Sequence, residues 1–102
     1  MHMKFETDYA VRIVDTIARS GGRVTSDVIA KQTCIAQKFS ILILRKLALR
    51  GIVKAYRGPS GGYELTRPAD EITVYDVIGA IEGPFVINLR SRIIYLSRAQ
   101  QY

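Results

Sequence analysis

Two short alternating runs, IVKAYR and YELT, stand on either side of five residues of turn chemistry, Gly58-Pro59-Ser60-Gly61-Gly62. A chain with this segment has to reverse direction there. Glycines accept positive φ and Pro59 fixes its own, so the loop is shaped and closes an antiparallel hairpin. Directly before it, QKFSILILRKLALR, roughly Gln37 to Arg50, repeats at helical spacing. Phe39, Ile43, Leu44 and Leu47 form its apolar stripe, Lys38, Arg45 and Arg50 stand away from it, and Gly51 ends it.

The residues upstream complete a recognisable order. Thr7 or Asp8 is expected to cap a first helix carrying Ala10, Ile13, Val14, Ile17 and Ala18, stopped by Gly21-Gly22. A short second helix, capped by Thr25 or Ser26, has Val28, Ile29 and Ala30 for its buried side. Thr33-Cys34-Ile35-Ala36 then makes a tight turn, with Ile35 placed to plug the angle between two helices. Short helix, turn, longer helix is helix-turn-helix grammar, though many all-helical domains share it. Downstream, Thr73 and Asp76 form a capping-box pattern opening a fourth helix with Val74, Val77, Ile78 and Ile81, ended by Gly83-Pro84. The reading is mostly α with a small β-hairpin, a winged helix-turn-helix over residues 1–84. Residues 85–102 follow, where Val86, Leu89, Ile93 and Leu96 suggest a dimerisation helix.

Charge separates the functional options. Net charge is +6 over 102 residues. From 31 to 67 the chain carries Lys31, Lys38, Arg45, Lys46, Arg50, Lys54, Arg57 and Arg67 against Glu64 alone. A basic middle of this kind is the footprint of a polyanion-binding face, although a solvated basic surface has the same composition. A phosphate cradle is excluded, because a P-loop needs GxxxxGK[ST] running into a helix and these glycines run into Tyr63-Glu64-Leu65. Ser60 has no candidate base, and the single histidine, His2, reads as a cloning remnant, so no catalytic site is expected and the chain is not read as an enzyme. Lone Cys34 offers neither an internal disulfide nor a metal cage. No signal peptide or membrane span is legible, and a cytoplasmic location is the expectation. A hairpin following a recognition helix then reads as a wing. Arg57 at its neck suits a narrowed minor groove, and the loop backbone can approach phosphates.

Taken together, TDYAVRIV, IAKQTCIAQKF, LRKLALRGIVKAYRGPSGGYELTRP and EITVYDVIGAIEGP resemble, in that order, the Rrf-two family of bacterial winged helix-turn-helix regulators. This is the family of IscR, NsrR and CymR, and the resemblance covers about residues 4 to 84. It implies a DNA-binding transcription regulator, expected to be a repressor, which as a homodimer holds double-stranded DNA at a palindromic operator. The recognition helix would lie in the major groove with Gln37, Lys38, Ser40, Ile41 and Leu42. The wing would enter the minor groove with Arg57, and with Gly58, Ser60 and Gly61 at its tip.

Some positions depart from the family pattern. Its cluster-bearing members carry three cysteines after the EGP segment and this chain carries none there, so no iron–sulfur cluster and no other cofactor is expected. Ser60 replaces a usual wing glycine, which is tolerable if the position needs no positive φ. Ala36 replaces a capping Ser or Thr, weakening the helix by ~0.5–2 kcal/mol. Ile41 and Leu42 are apolar where polar base readers are expected; they suit thymine methyls or a protein-docking patch. The C-terminus is short against the family's long dimerisation helix, and the alternative expectation is a truncated regulator that no longer dimerises.

Overall fold

The computed structural model describes residues 5–83. Its elements are α1 (Phe5–Ser20), α2 (Ser26–Thr33), α3 (Gln37–Leu49), β1 (Val53–Tyr56), β2 (Gly62–Leu65), a one-turn 3-10 helix (Ala69–Glu71) and α4 (Val74–Glu82). The expected dimerisation helix, 85–102, lies outside the described residues.

One core joins these elements. Ala10, Ile13, Val14 and Ile17 of α1 meet Ile43, Leu44 and Leu47 of α3 and Val77, Ala80 and Ile81 of α4. The cap expected at Thr7 or Asp8 is a misreading, since α1 is already helical at Phe5. Thr7 is instead fully buried and donates its hydroxyl to the Glu82 carboxylate at 3.0 Å, tying the start of α1 to the end of α4. Asp8 faces Arg12 one turn along.

In α2 the cap is Thr25, whose side chain accepts from the Val28 amide. So short a helix buries only a narrow stripe, Ile29 and Thr33; Val28, expected inside, is exposed. Ile35 is buried in the turn between α2 and α3, as its apolar character required. Cys34 beside it takes the left-handed conformation, φ 60°, and is exposed. Arg12 reaches from α1 to the Thr33 carbonyl, holding the end of α2.

The junction from α3 into the hairpin is a Schellman motif. The Gly51 amide donates to the Ala48 carbonyl at 3.0 Å and the Ile52 amide to the Leu47 carbonyl at 2.9 Å. Gly51 sits at φ 77°, where a Cβ would be strained. Ile52, the next residue, is buried and anchors the turn to the core. Thr66 closes the other side, its hydroxyl donating to the Gly51 carbonyl and its amide to that of Ile52.

β1 and β2 pair antiparallel from Val53↔Leu65 to Tyr56↔Gly62. On β1 Val53 is buried and Ala55 is exposed, while Leu65 and Tyr63 opposite them pack against the core. Val24 extends the ladder, exchanging two backbone hydrogen bonds with Tyr63 at 2.9 and 2.7 Å. The capping box at α4 forms as its sequence promised: Thr73 and Asp76 each accept from the other's amide. No helix among the described residues is long and apolar enough to cross a membrane.

Candidate nucleic-acid interface

Along α3 the spacing of 3.6 residues per turn sorts the side chains into two faces. Ser40, Ile43, Leu44 and Leu47 point into the core. Lys38, Ile41, Leu42, Arg45 and Leu49 fall on the opposite side, which leaves Leu42 49% and Leu49 81% exposed and Ile41 half-buried.

Ser40 therefore leaves the set of expected base contacts. It is 0% exposed, and its Oγ is buried with no hydrogen-bond partner. A helical serine usually turns its hydroxyl back to the carbonyl four residues earlier. Here that carbonyl, of Ala36, already accepts the amides of Phe39 and Ser40 at 3.0 and 2.9 Å.

Gln37 is exposed, but its amide nitrogen donates to Ser26 Oγ at 3.1 Å and to the Asp27 carboxylate. Its donors are thus directed at the first turn of α2, and its carbonyl oxygen remains for an outside partner. Ala36 gives α3 no side-chain cap. The Phe39 amide already donates to the Ala36 carbonyl, so the amides of Gln37 and Lys38 stand at the positive end of the helix dipole, which suits an anion.

The wing is built from close approaches. Gly58-Pro59-Ser60-Gly61 makes a tight turn closed by the Gly61 amide on the Gly58 carbonyl at 2.9 Å. A Cβ at Gly61 would lie 2.7 Å from the Tyr56 carbonyl, and one at Gly62, φ 137°, would lie 2.8 Å from that of Val24. Ser60 needs no positive φ, so it replaces glycine without strain. Arg57, Gly58, Pro59 and Ser60 are all exposed.

Electrostatics marks out a few cations. Asp8, Asp15, Asp76, Glu6 and Glu64 face Arg12, Arg19, Arg67, Lys46 and Arg23 respectively. Lys31, Lys38, Arg45, Arg50, Lys54 and Arg57 form no ion pair among the described residues, and of these Lys38, Arg45 and Arg57 lie on the outward face of α3 and at the neck of the wing. Arg45 lies on the outward face of α3 beside Lys38, away from the apolar stripe as its spacing implied.

Two residues of the wing went unnoticed in the sequence, Arg23 and Tyr56. The Arg23 guanidinium stacks 3.5 Å from the Tyr56 ring centroid, and its Nη1 donates to the Ser60 carbonyl at 2.7 Å. A hydrogen bond to the Glu64 carboxylate, partial desolvation and that carboxylate's charge hold the Tyr56 phenol above its ordinary pKa, with Arg23 opposing.

Comparison with known proteins gives this geometry a family context. Residues 3–97 match the sequence profile of the Rrf2 family, described as an iron-dependent transcriptional regulator. A Mycobacterium tuberculosis protein named as an HTH-type transcriptional regulator is 40% identical over 86 residues, covering 82% of this chain and 53% of that protein. The chain spans about half the length of such sequence relatives. CymR, the global cysteine regulator of B. subtilis, superposes with TM-score 0.77 at 26% identity, covering 89% of this chain and 75% of CymR. IscR of T. potens gives TM-score 0.74 at 26% identity, over 88% and 67% of the two chains.

The donors within this chain do not fit an iron–sulfur cluster. Such clusters are held chiefly by cysteine thiolates, commonly four, and Cys34 is the single cysteine of the sequence. Among the described residues no group of three or more His, Cys, Asp or Glu converges on one point.

Proposed function

Because the chain belongs to the Rrf2 family of transcriptional regulators, we propose that it binds double-stranded DNA as a winged helix-turn-helix, acting as a repressor. The observation that carries this reading is Arg57. It is an exposed guanidinium at the neck of a shaped hairpin, in no ion pair among the described residues. A narrow minor groove concentrates negative potential and favours such a group.

In this reading the outward face of α3 enters the major groove. Lys38 and Arg45 contact phosphates or guanine edges, and Ile41 and Leu42 lie against thymine methyls. The uncapped first turn of α3 and the Gly58 to Gly61 backbone meet phosphates. Gln37 contributes through its carbonyl oxygen. Two copies bind the half-sites of a palindromic operator as a homodimer.

The test is a fluorescence-anisotropy titration against duplexes selected from a randomised library, repeated at two salt concentrations. Each phosphate contact contributes a slope of about −0.9 in log K against log salt. A salt-sensitive, sequence-dependent affinity is expected. No salt-dependent binding would turn the reading toward its rival, a protein-docking module. That rival draws on Leu42 and Leu49, two exposed leucines on one helix face.

A further inference from the structure

Arg23 stands in the connection between α1 and α2, yet it touches the hairpin at three separate places. Its guanidinium covers the Tyr56 ring at the end of β1, at 3.5 Å. Its Nη1 donates to the Ser60 carbonyl at the loop tip, at 2.7 Å. Its Nη2 lies 4.0 Å from Glu64 of β2. Both strands and the tip are thus joined by one side chain. The neighbouring Val24 adds backbone bonds to Tyr63, and a Cβ at Gly62 would come within 3.0 Å of Arg23 Cγ.

The outer wing has little else to hold it. Residues 57 to 60 are exposed, and the turn at the tip is closed by one amide, that of Gly61. A two-stranded hairpin is marginal in water without packing on one face. A flat guanidinium supplies that packing, stacking on a ring while donating in its own plane, which a lysine ammonium cannot do. Glu64 lies beside Arg23 and offsets its charge, so the cations the wing presents are Arg57 at its neck and Lys54 on β1.

We propose that Arg23 is the positioning residue of the wing, locking the loop tip over Tyr56 and so fixing where Arg57 meets DNA. The second half rests on the DNA-binding reading above; the lock itself belongs to the free chain. Arg23 has no direct contact with DNA in this arrangement.

The experiment has two arms, run on the full chain with Arg23→Gln, Arg23→Lys and Tyr56→Leu. The first is amide hydrogen exchange without DNA. Exchange at Gly61 is expected to accelerate by about tenfold in all three variants, a sub-global opening confined to the wing, while Ile43 to Leu47 amides stay unchanged. An unaltered Gly61 amide overturns the proposal.

The second arm is a double-mutant cycle with Arg57→Ala, using the tightest-binding duplex from the randomised library. Arg23→Gln is expected to weaken binding about tenfold in the native background and less than about twofold once Arg57 is gone. Equal losses in both backgrounds, or full rescue by Arg23→Lys, mean a direct charge contact and overturn the positioning role. If Arg57→Ala alone leaves affinity untouched while the exchange arm behaves as expected, the minor-groove reading fails and the lock stands.

Discussion

Replacing Ser40 by alanine should make the protein more stable, which few core substitutions do. The Oγ is fully buried and accepts or donates no hydrogen bond. An unsatisfied buried hydroxyl costs about 1–3 kcal/mol. Alanine also has the better helix propensity, by roughly half a kcal/mol. Against this stands a void smaller than a methyl group, worth a few tenths of a kcal/mol at ~24 cal/mol per Å³. The balance is a gain of about 1–3 kcal/mol, with ~4–8 °C in melting temperature for each kcal/mol in a domain of this size. Urea denaturation followed by circular dichroism measures it, and DNA affinity measured in parallel should not change. A destabilised variant would show that the hydroxyl has a partner after all. A loss of DNA affinity without a stability gain would return Ser40 to the interface and rotate α3 away from the arrangement described.

Arg57→Ala should weaken binding by about 1–3 kcal/mol in an anisotropy titration, with a salt slope shallower by about one if phosphate is also touched. An unchanged affinity removes the wing from the interface. Gly62→Ala should destabilise the fold by roughly 1–3 kcal/mol in urea, because the residue sits at φ 137° with the Val24 carbonyl 2.8 Å from any Cβ. Thr73→Ala breaks the capping box of α4 and should cost about 1 kcal/mol, read as an earlier thermal transition with the wing amides unaffected.

Local signals in the sequence proved dependable where a residue's neighbours along the chain decide its role. Thr73 and Asp76 cap each other across three positions, Gly51 ends α3 as the left-handed turn after it requires, and Ile35 is buried because a turn holds it against two helices. Misreadings fall where a distant element decides. Thr7 looked like a cap until α4 supplied Glu82, a partner 75 residues away. The family resemblance alone puts Ser40 among the base contacts, whereas the helix turns it into the core with Ile43, Leu44 and Leu47. Arg23 carried no local mark at all; its partner at the wing tip is 37 positions on. Within the candidate interface, residue types, order and the outward placement of Arg45 were legible, while the sharing of Gln37 with α2 depended on tertiary packing.

The Schellman turn at Gly51 leaves no slack between the helix and the hairpin that follows it. Two amides, a buried isoleucine and the Thr66 hydroxyl all converge on that one corner. A joint so tightly fixed turns helix and prong into a single rigid tool with no hinge of its own. In the homodimer proposed above, a signal that releases a duplex would then have to work from outside the tool, by changing the distance or tilt between one copy and the next.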